Sequence, residues 1–256
     1  MIYLVLGSYL LEKILEYFYL IKIGQFISYM ISHEHKIIFI HIPKCAGSSI
    51  ETAFGIDVIN NNLKSDKLFG WDNKNKFYLQ HATPQQLLDC QLISPSQWNS
   101  YYKFIIVRNT WDKVISDFYW FKETKKFIGT FYDYLYCKND FKRFMKVGEA
   151  SFRGDHLNAQ VDYMYLNSKL IKYDKIIFYD KNNLDFELSH LANDLGLSFN
   201  FFKNKIQVRK KNKKHYSKYY TNKMKSCVLK KYERDIQYFN FNFEDKRSIL
   251  GLFKKI

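Results

Sequence analysis

The run KIIFIHI (residues 36–42), followed at once by PKCAGSS (43–49), constrains this chain more than any other stretch. An isoleucine-rich apolar run stopped by proline suits a strand buried in a parallel sheet. Residues 48–54 then begin a helix. In an open parallel sheet, ligands bind beyond the carboxyl ends of the strands, where this turn sits. Its contents suit an anion of phosphate type. Lys44 brings charge, Ser48 and Ser49 bring hydroxyls, and Cys45, Ala46 and Gly47 bring backbone N–H groups, with Gly47 allowing close approach. The order is not that of a Walker A loop, where the lysine follows the second glycine. An ordinary strand-to-helix turn with solvated side chains is the competing reading.

A second unit repeats the design. YKFIIVR (102–108) ends in Arg108, and the helical stretch 110–122 carries Ser116. An arginine fork and a hydroxyl can clamp one phosphate group. Two such sites at neighbouring strand ends imply a ligand with two separated phosphates. The competing readings are a surface salt bridge for Arg108 and a backbone-bonded hydroxyl for Ser116. Further strands are expected at 76–81, ending at His81, and at 173–180. Helices are expected at 83–92, with Thr83 as cap and Pro84 first, and at 127–146, 185–197 and 220–239. Residues 56–76 read as loop, and 203–218 as a basic stretch. Strands alternating with helices predict an α/β fold with a mostly parallel sheet covered on both faces.

The net charge of +15 calls for an anionic partner. The four cysteines form no CxxC pair and have no histidine cluster beside them, so neither a zinc site nor a disulfide framework is expected. The apolar opening is interrupted by Glu12, Lys13, Glu16 and Lys22, which leaves no uncharged run of the ~18 residues a span needs. Without a basic leader or small-residue cleavage site, it does not read as a signal peptide. It reads as a helix packed on the domain. Peripheral membrane contact through residues 1–31 is the functional alternative.

FIHIPKCAGSSIE resembles the 5′-phosphosulfate loop of sulfotransferases, and FIIVRNTWDKVISDFYW resembles their 3′-phosphate motif. Order and spacing are similar to the carbohydrate branch, sulfotransferase family 2, which includes the heparan sulfate 2-O-sulfotransferases and small bacterial proteins. LQHATPQQL, NAQVDYMYL and KKHYSKYYTNKM extend the likeness over residues 36–240. Cys45 and Ser48 stand where threonine is usual, and Thr110 where proline is usual. The resemblance implies a P-loop NTPase-like three-layer fold. It also implies a sulfotransferase domain, taken as 36–256, behind the apolar helical segment read at 1–35.

The same resemblance implies binding of 3′-phosphoadenosine 5′-phosphosulfate (PAPS), with no metal. Lys44, Cys45, Ala46, Gly47, Ser48 and Ser49 would hold the 5′ end, and Arg108 and Ser116 the 3′-phosphate. Arg209, Lys213 and Lys214 lie in a segment that closes over the nucleotide in the family. Lys44 would also neutralise the leaving group, and His81 would be the general base, with Glu51 and the more structural His41 as rivals. Cys45 would supply backbone N–H rather than a nucleophile. His156 and Gln160 fall near the cleft with their roles open. The implied acceptor is a hydroxyl of a carbohydrate or glycolipid, and the implied setting is the cytoplasm or a membrane surface rather than a Golgi-type anchor. Nucleic-acid binding fits the charge but explains neither the Lys44 turn nor the Arg108–Ser116 pair. A nucleotide kinase lacks the Walker A order, and a non-catalytic relative that binds PAPS or a glycan is a further alternative.

Overall fold

The computed structural model describes residues 30–55, 68–203 and 214–247. Strand β1 (Ile31–Ser32) turns back antiparallel onto β2 (Ile37–Ile40), which leads through the lysine turn into α1 (Gly47–Ala53). A small hairpin, β3 (Trp71–Asp72) and β4 (Phe77–Tyr78), precedes α2 (Pro84–Asp89) and α3 (Pro95–Ser100). Both helices begin with proline behind a capping box, Thr83 with Gln86 and Ser94 with Gln97. Strand β5 (Tyr102–Arg108) feeds α4 (Thr110–Thr124), whose first turn is capped by the Asn109 side chain, and α5 (Phe131–Leu135) follows. A second hairpin, β6 (Tyr165–Leu166) and β7 (Lys169–Leu170), leads to β8 (Lys175–Tyr179), α6 (Leu184–Asp194), α7 (Asn222–Lys231) and α8 (Glu233–Tyr238).

The central sheet has the order β1-β2-β5-β8. Its inner pairs are parallel, with Ile40 opposite Ile105 and Arg108 opposite Tyr179. The carboxyl ends of β2, β5 and β8 therefore lie along one edge. All of β2 and Phe104–Val107 of β5 are buried, as expected for continuous apolar runs inside a parallel sheet. β8 differs, with Ile176 and Phe178 exposed on an edge strand.

Several expected elements are shorter or broken. Only Phe77 and Tyr78 of the expected strand at 76–81 pair; Leu79–His81 is a 3₁₀ turn closed by the Ala82 N–H on the Leu79 carbonyl. The helix expected at 127–146 is α5 plus a 3₁₀ stretch at Asn139–Met145, because Cys137 and Asn139 adopt left-handed backbone. The final helix divides at Tyr232 into α7 and α8.

Two apolar clusters make the core. One surrounds the sheet and includes Ile42, Cys45, Ile50 and Leu79. The other is aromatic and packs α4 and α5 against Tyr220, Val228 and Tyr232. Met30 and Ile31 are buried in the first cluster, so the end of the apolar N-terminal stretch belongs to the core. The rest of that stretch, with its helical and membrane-contact readings, lies outside the described residues. Among the described residues no helix is long and apolar enough to cross a membrane.

Candidate active site

The turn after β2 is strained. Lys44 (φ 70°) and Ala46 (φ 65°) are both left-handed without being glycine. Ala46 occupies the cap position of α1 and has no side-chain oxygen, so no side chain caps those N–H groups. Ser48 is exposed and Ser49 is buried. The Cys45 thiol is buried, donates to the Gln160 Oε1 (3.6 Å), and is pushed up to about 12 by burial, which keeps it protonated and inert. Gly47 meets a different neighbour from the one its motif implies. A Cβ there would lie 1.9 Å from the His41 Nε2, so the glycine admits the His41 ring.

Arg108 stands beside this turn because β2 and β5 are parallel neighbours. Its Nη1 donates to the Lys44 carbonyl (2.8 Å) and to the Ser116 Oγ (3.4 Å), and its Nε donates to Asp112 (2.8 Å). The structure thus brings Arg108 and Ser116 together and ties both to the lysine turn. Asp112 is a neighbour the sequence reading did not name. Gln160 fastens the same corner. Its amide accepts from the Arg108 N–H (2.9 Å) and donates to the Arg108 carbonyl (2.8 Å). Asp235 in turn accepts from the Gln160 and Val161 N–H groups.

Three histidines line up in the interior, each with a carboxylate on Nδ1. His41 pairs with Glu51 (2.7 Å), His81 with Asp155, and His156 with Asp117 (2.7 Å). The rings of His41 and His81 meet edge-on at 4.9 Å, and those of His81 and His156 at 5.1 Å. Asp117 is completely buried and also accepts from the Tyr134 hydroxyl (3.0 Å). Burial works against its charge, but His156, then Lys44 and Lys113, hold its carboxyl below the usual range. Burial, helped by His41 and His156 and opposed by Asp155, pushes His81 down to about 4. Asp155 is held down to about 2, since His81, His156 and Arg153 together outweigh its burial. Donor atoms of His81, Asp155 and His156 all lie within 4.8 Å of one another, close enough to share a cation. Here His81 and Asp155 bond to each other, and His156 bonds to Asp117.

Trp120 joins this array to the lysine turn. Its ring stacks on His156 (4.7 Å), and both Lys44 and Lys125 place their ammonium groups 5.3 Å from its centroid. Arg153 covers the Tyr78 ring at 4.1 Å and lowers the Lys125 pKa, second to burial. Neither Lys125 nor Arg153 ion-pairs with a carboxylate among the described residues. Lys214 is exposed, and no described contact joins it to Arg108 or the turn. Arg209 and Lys213 lie outside the described residues.

A family model matches residues 28–242, nearly the whole chain, and its description is the sulfotransferase family. The chain belongs to that family. No curated protein and no solved structure matches it. A sulfotransferase needs an anion site for its sulfuryl donor and a group to accept the proton of the attacking nucleophile. The lysine turn with Arg108 is rich in donors, and the histidine array is rich in titratable groups.

Several groups of this candidate site escaped the sequence reading, notably Asp117, Trp120 and Asp155. A signal existed for Asp117. It falls on the buried stripe of α4 with Val114, Phe118 and Phe121, where an ionisable residue needs a partner. Asp155 and Trp120 carried no comparable mark.

The buried His81 also predicts an acid response. Below about pH 6.5 the unfolded chain takes up a proton at His81 that the folded chain refuses until about 4. The unfolded state then binds more protons, so stability falls as pH drops through that window, by up to about 1.4 kcal/mol per pH unit. The Asp155 contribution is lost only lower, between 3.8 and about 2. Urea midpoints should therefore drop between pH 7 and pH 5. An unchanged midpoint would mean that His81 is already charged in the fold.

Proposed function

We propose that this protein transfers a sulfuryl group from PAPS to a hydroxyl of a carbohydrate acceptor, on a P-loop NTPase-like sheet. One observation carries the reading. Arg108 at the end of β5 is bonded to the Lys44 carbonyl in the turn after β2, so two cationic residues stand together at the carboxyl edge of the sheet. A donor with a 5′-phosphosulfate and a separate 3′-phosphate suits that pair, with Lys44 at the first and Arg108 and Ser116 at the second. The uncapped backbone of the turn and its two left-handed residues fit an anion too.

His81 is the base in this reading. The acceptor hydroxyl gives its proton to the imidazole as its oxygen bonds to sulfur. The sulfur–oxygen bond to the 5′-phosphate breaks and its electron pair leaves with the nucleotide. Lys44 stabilises the charge that grows on that oxygen. The donor would bring several negative charges close to His81, which raises its pKa toward the range that suits proton transfer near neutrality. Lys125 and Arg153, set over the Trp120 and Tyr78 rings, make a cationic wall that suits a sugar bearing an acidic group.

The test is calorimetric binding of PAP (3′,5′-adenosine bisphosphate, the product nucleotide) against AMP. PAP should bind far more tightly than AMP. Arg108→Ala should weaken PAP by about 1.5–3 kcal/mol, on the order of 10- to 100-fold in Kd, and leave AMP nearly unchanged. Arg108→Lys should recover only part, because an ammonium lacks the fork. Equal affinity of the wild type for PAP and AMP would remove the two-phosphate reading.

A further inference from the structure

His41, His81 and His156 each carry a carboxylate on Nδ1, yet their surroundings differ. The His41 Nε2 faces the α-carbon of Gly47, with no room for even a Cβ between them. The His156 ring is covered by Trp120, stacked at an interplanar angle of 13°. Both are packed as structural rings. His81 touches its histidine neighbours through edge contacts and is a little more exposed than either.

We infer that Asp155 is the positioning residue for His81, fixing the tautomer with hydrogen on Nδ1 so that Nε2 is bare toward the acceptor hydroxyl. The inference rests on the sulfuryl-transfer reading given above. A carboxylate without a proton can only accept, so the nitrogen facing the Asp155 Oδ2 must be the one that donates. The other oxygen of Asp155, Oδ1, is buried without a hydrogen-bond partner, which leaves the charge of the carboxylate directed at the imidazole. The pair is held at both ends. The Tyr163 hydroxyl donates to the His81 carbonyl (3.3 Å), and Asp155 lies in the 3₁₀ turn Gly154–Leu157. Among the described residues the charged and titratable groups around His81 are Asp155, His41, His156 and Tyr163, with Arg153 beyond Asp155, Glu51 beyond His41, and Asp117 beyond His156.

In the reaction the acceptor proton passes to Nε2 while the Nδ1 proton stays where it is. The resulting imidazolium is balanced by Asp155, which gains no proton. Loss of Asp155 therefore removes both the tautomer and the compensating charge.

The test uses the full-length protein with ¹⁵N-labelled histidine. In the wild type at pH 7, NMR should show the His81 Nδ1 protonated and Nε2 bare. Asp155→Asn should populate the opposite tautomer and lower kcat about 10- to 100-fold, with KM for PAPS within about twofold. The acid limb of kcat/KM should also move to lower pH, since Asp155 raises the His81 pKa. Asp155→Glu should restore part of the rate. A wild-type His81 with its hydrogen on Nε2 overturns the inference, whatever the variants do. So does an Asp155→Asn enzyme with unchanged turnover and acid limb. If the wild-type tautomer is as expected but no acceptor is sulfated from PAPS, the sulfuryl-transfer reading fails while the pairing stands.

Discussion

His81→Ala should bind PAP within about twofold of the wild type and turn over about 10²- to 10⁴-fold more slowly. The separation follows from where the groups stand. Of the groups proposed to hold the nucleotide, Arg108 donates to the Lys44 carbonyl and to the Ser116 hydroxyl, whereas the His81 Nδ1 is paired with Asp155. Loss of the imidazole should therefore leave donor binding intact while the acceptor hydroxyl loses its proton acceptor. The rival base, Glu51, is 2% exposed and spends its Oε1 on His41. Single-turnover transfer from labelled PAPS, with PAP calorimetry alongside, separates the two effects. Unimpaired transfer by His81→Ala would remove histidine from the chemistry. Lost PAP affinity would instead make His81 part of the donor site.

The second large effect belongs to a methyl group. In Gly47→Ala the new Cβ would lie 1.9, 2.0 and 2.2 Å from three atoms of the His41 ring. The ring has nowhere to go. It is bonded to Glu51, stacked on Phe39 (5.7 Å, 14°), and set against His81. Either α1 shifts or the buried His41–Glu51 pair breaks, at a cost of about 3 kcal/mol or more. For a chain of this size that is a fall of about 10 °C in Tm, or loss of soluble protein. In a His41→Ala background Gly47→Ala should cost less than it does in the wild type, because the clash is with that ring. A Tm within about 2 °C of the wild type for Gly47→Ala alone would refute the packing argument.

Sequence made some parts of this molecule legible and hid others for physical reasons. β2 and β5 were plain because a strand buried on both faces must be apolar throughout, and KIIFIHI and YKFIIVR are nearly so. The α2 helix was plain because Thr83 and Pro84 mark its start chemically. The interval 127–146 was not. Its apolar spacing suits a helix, but Cys137 and Asn139 take left-handed backbone, which neither residue type announces. The site divided in the same way. Lys44 and Arg108 follow strands whose ends topology places side by side. Asp155 meets His81 across 74 positions of chain, a separation no local pattern records. Gly47 showed that something must approach closely, but the sequence alone did not show that this neighbour is His41.

The two apolar clusters divide the labour of the site as well as the packing. Cys45 and Ala82, the chain neighbours of Lys44 and His81, belong to the cluster around the sheet, while Trp120 rests on the aromatic cluster built from α4, α5 and α7. Lys44 and Arg108 of the proposed donor grip thus follow the sheet, while Ser116 and Trp120 both ride on α4 against the aromatic packing. Substitutions at Tyr78 or Lys125 would alter the wall proposed for the sugar while leaving Lys44, Arg108 and Ser116 in place. That arrangement is evolvable in a specific sense, since acceptor preference could drift while the donor stays fixed.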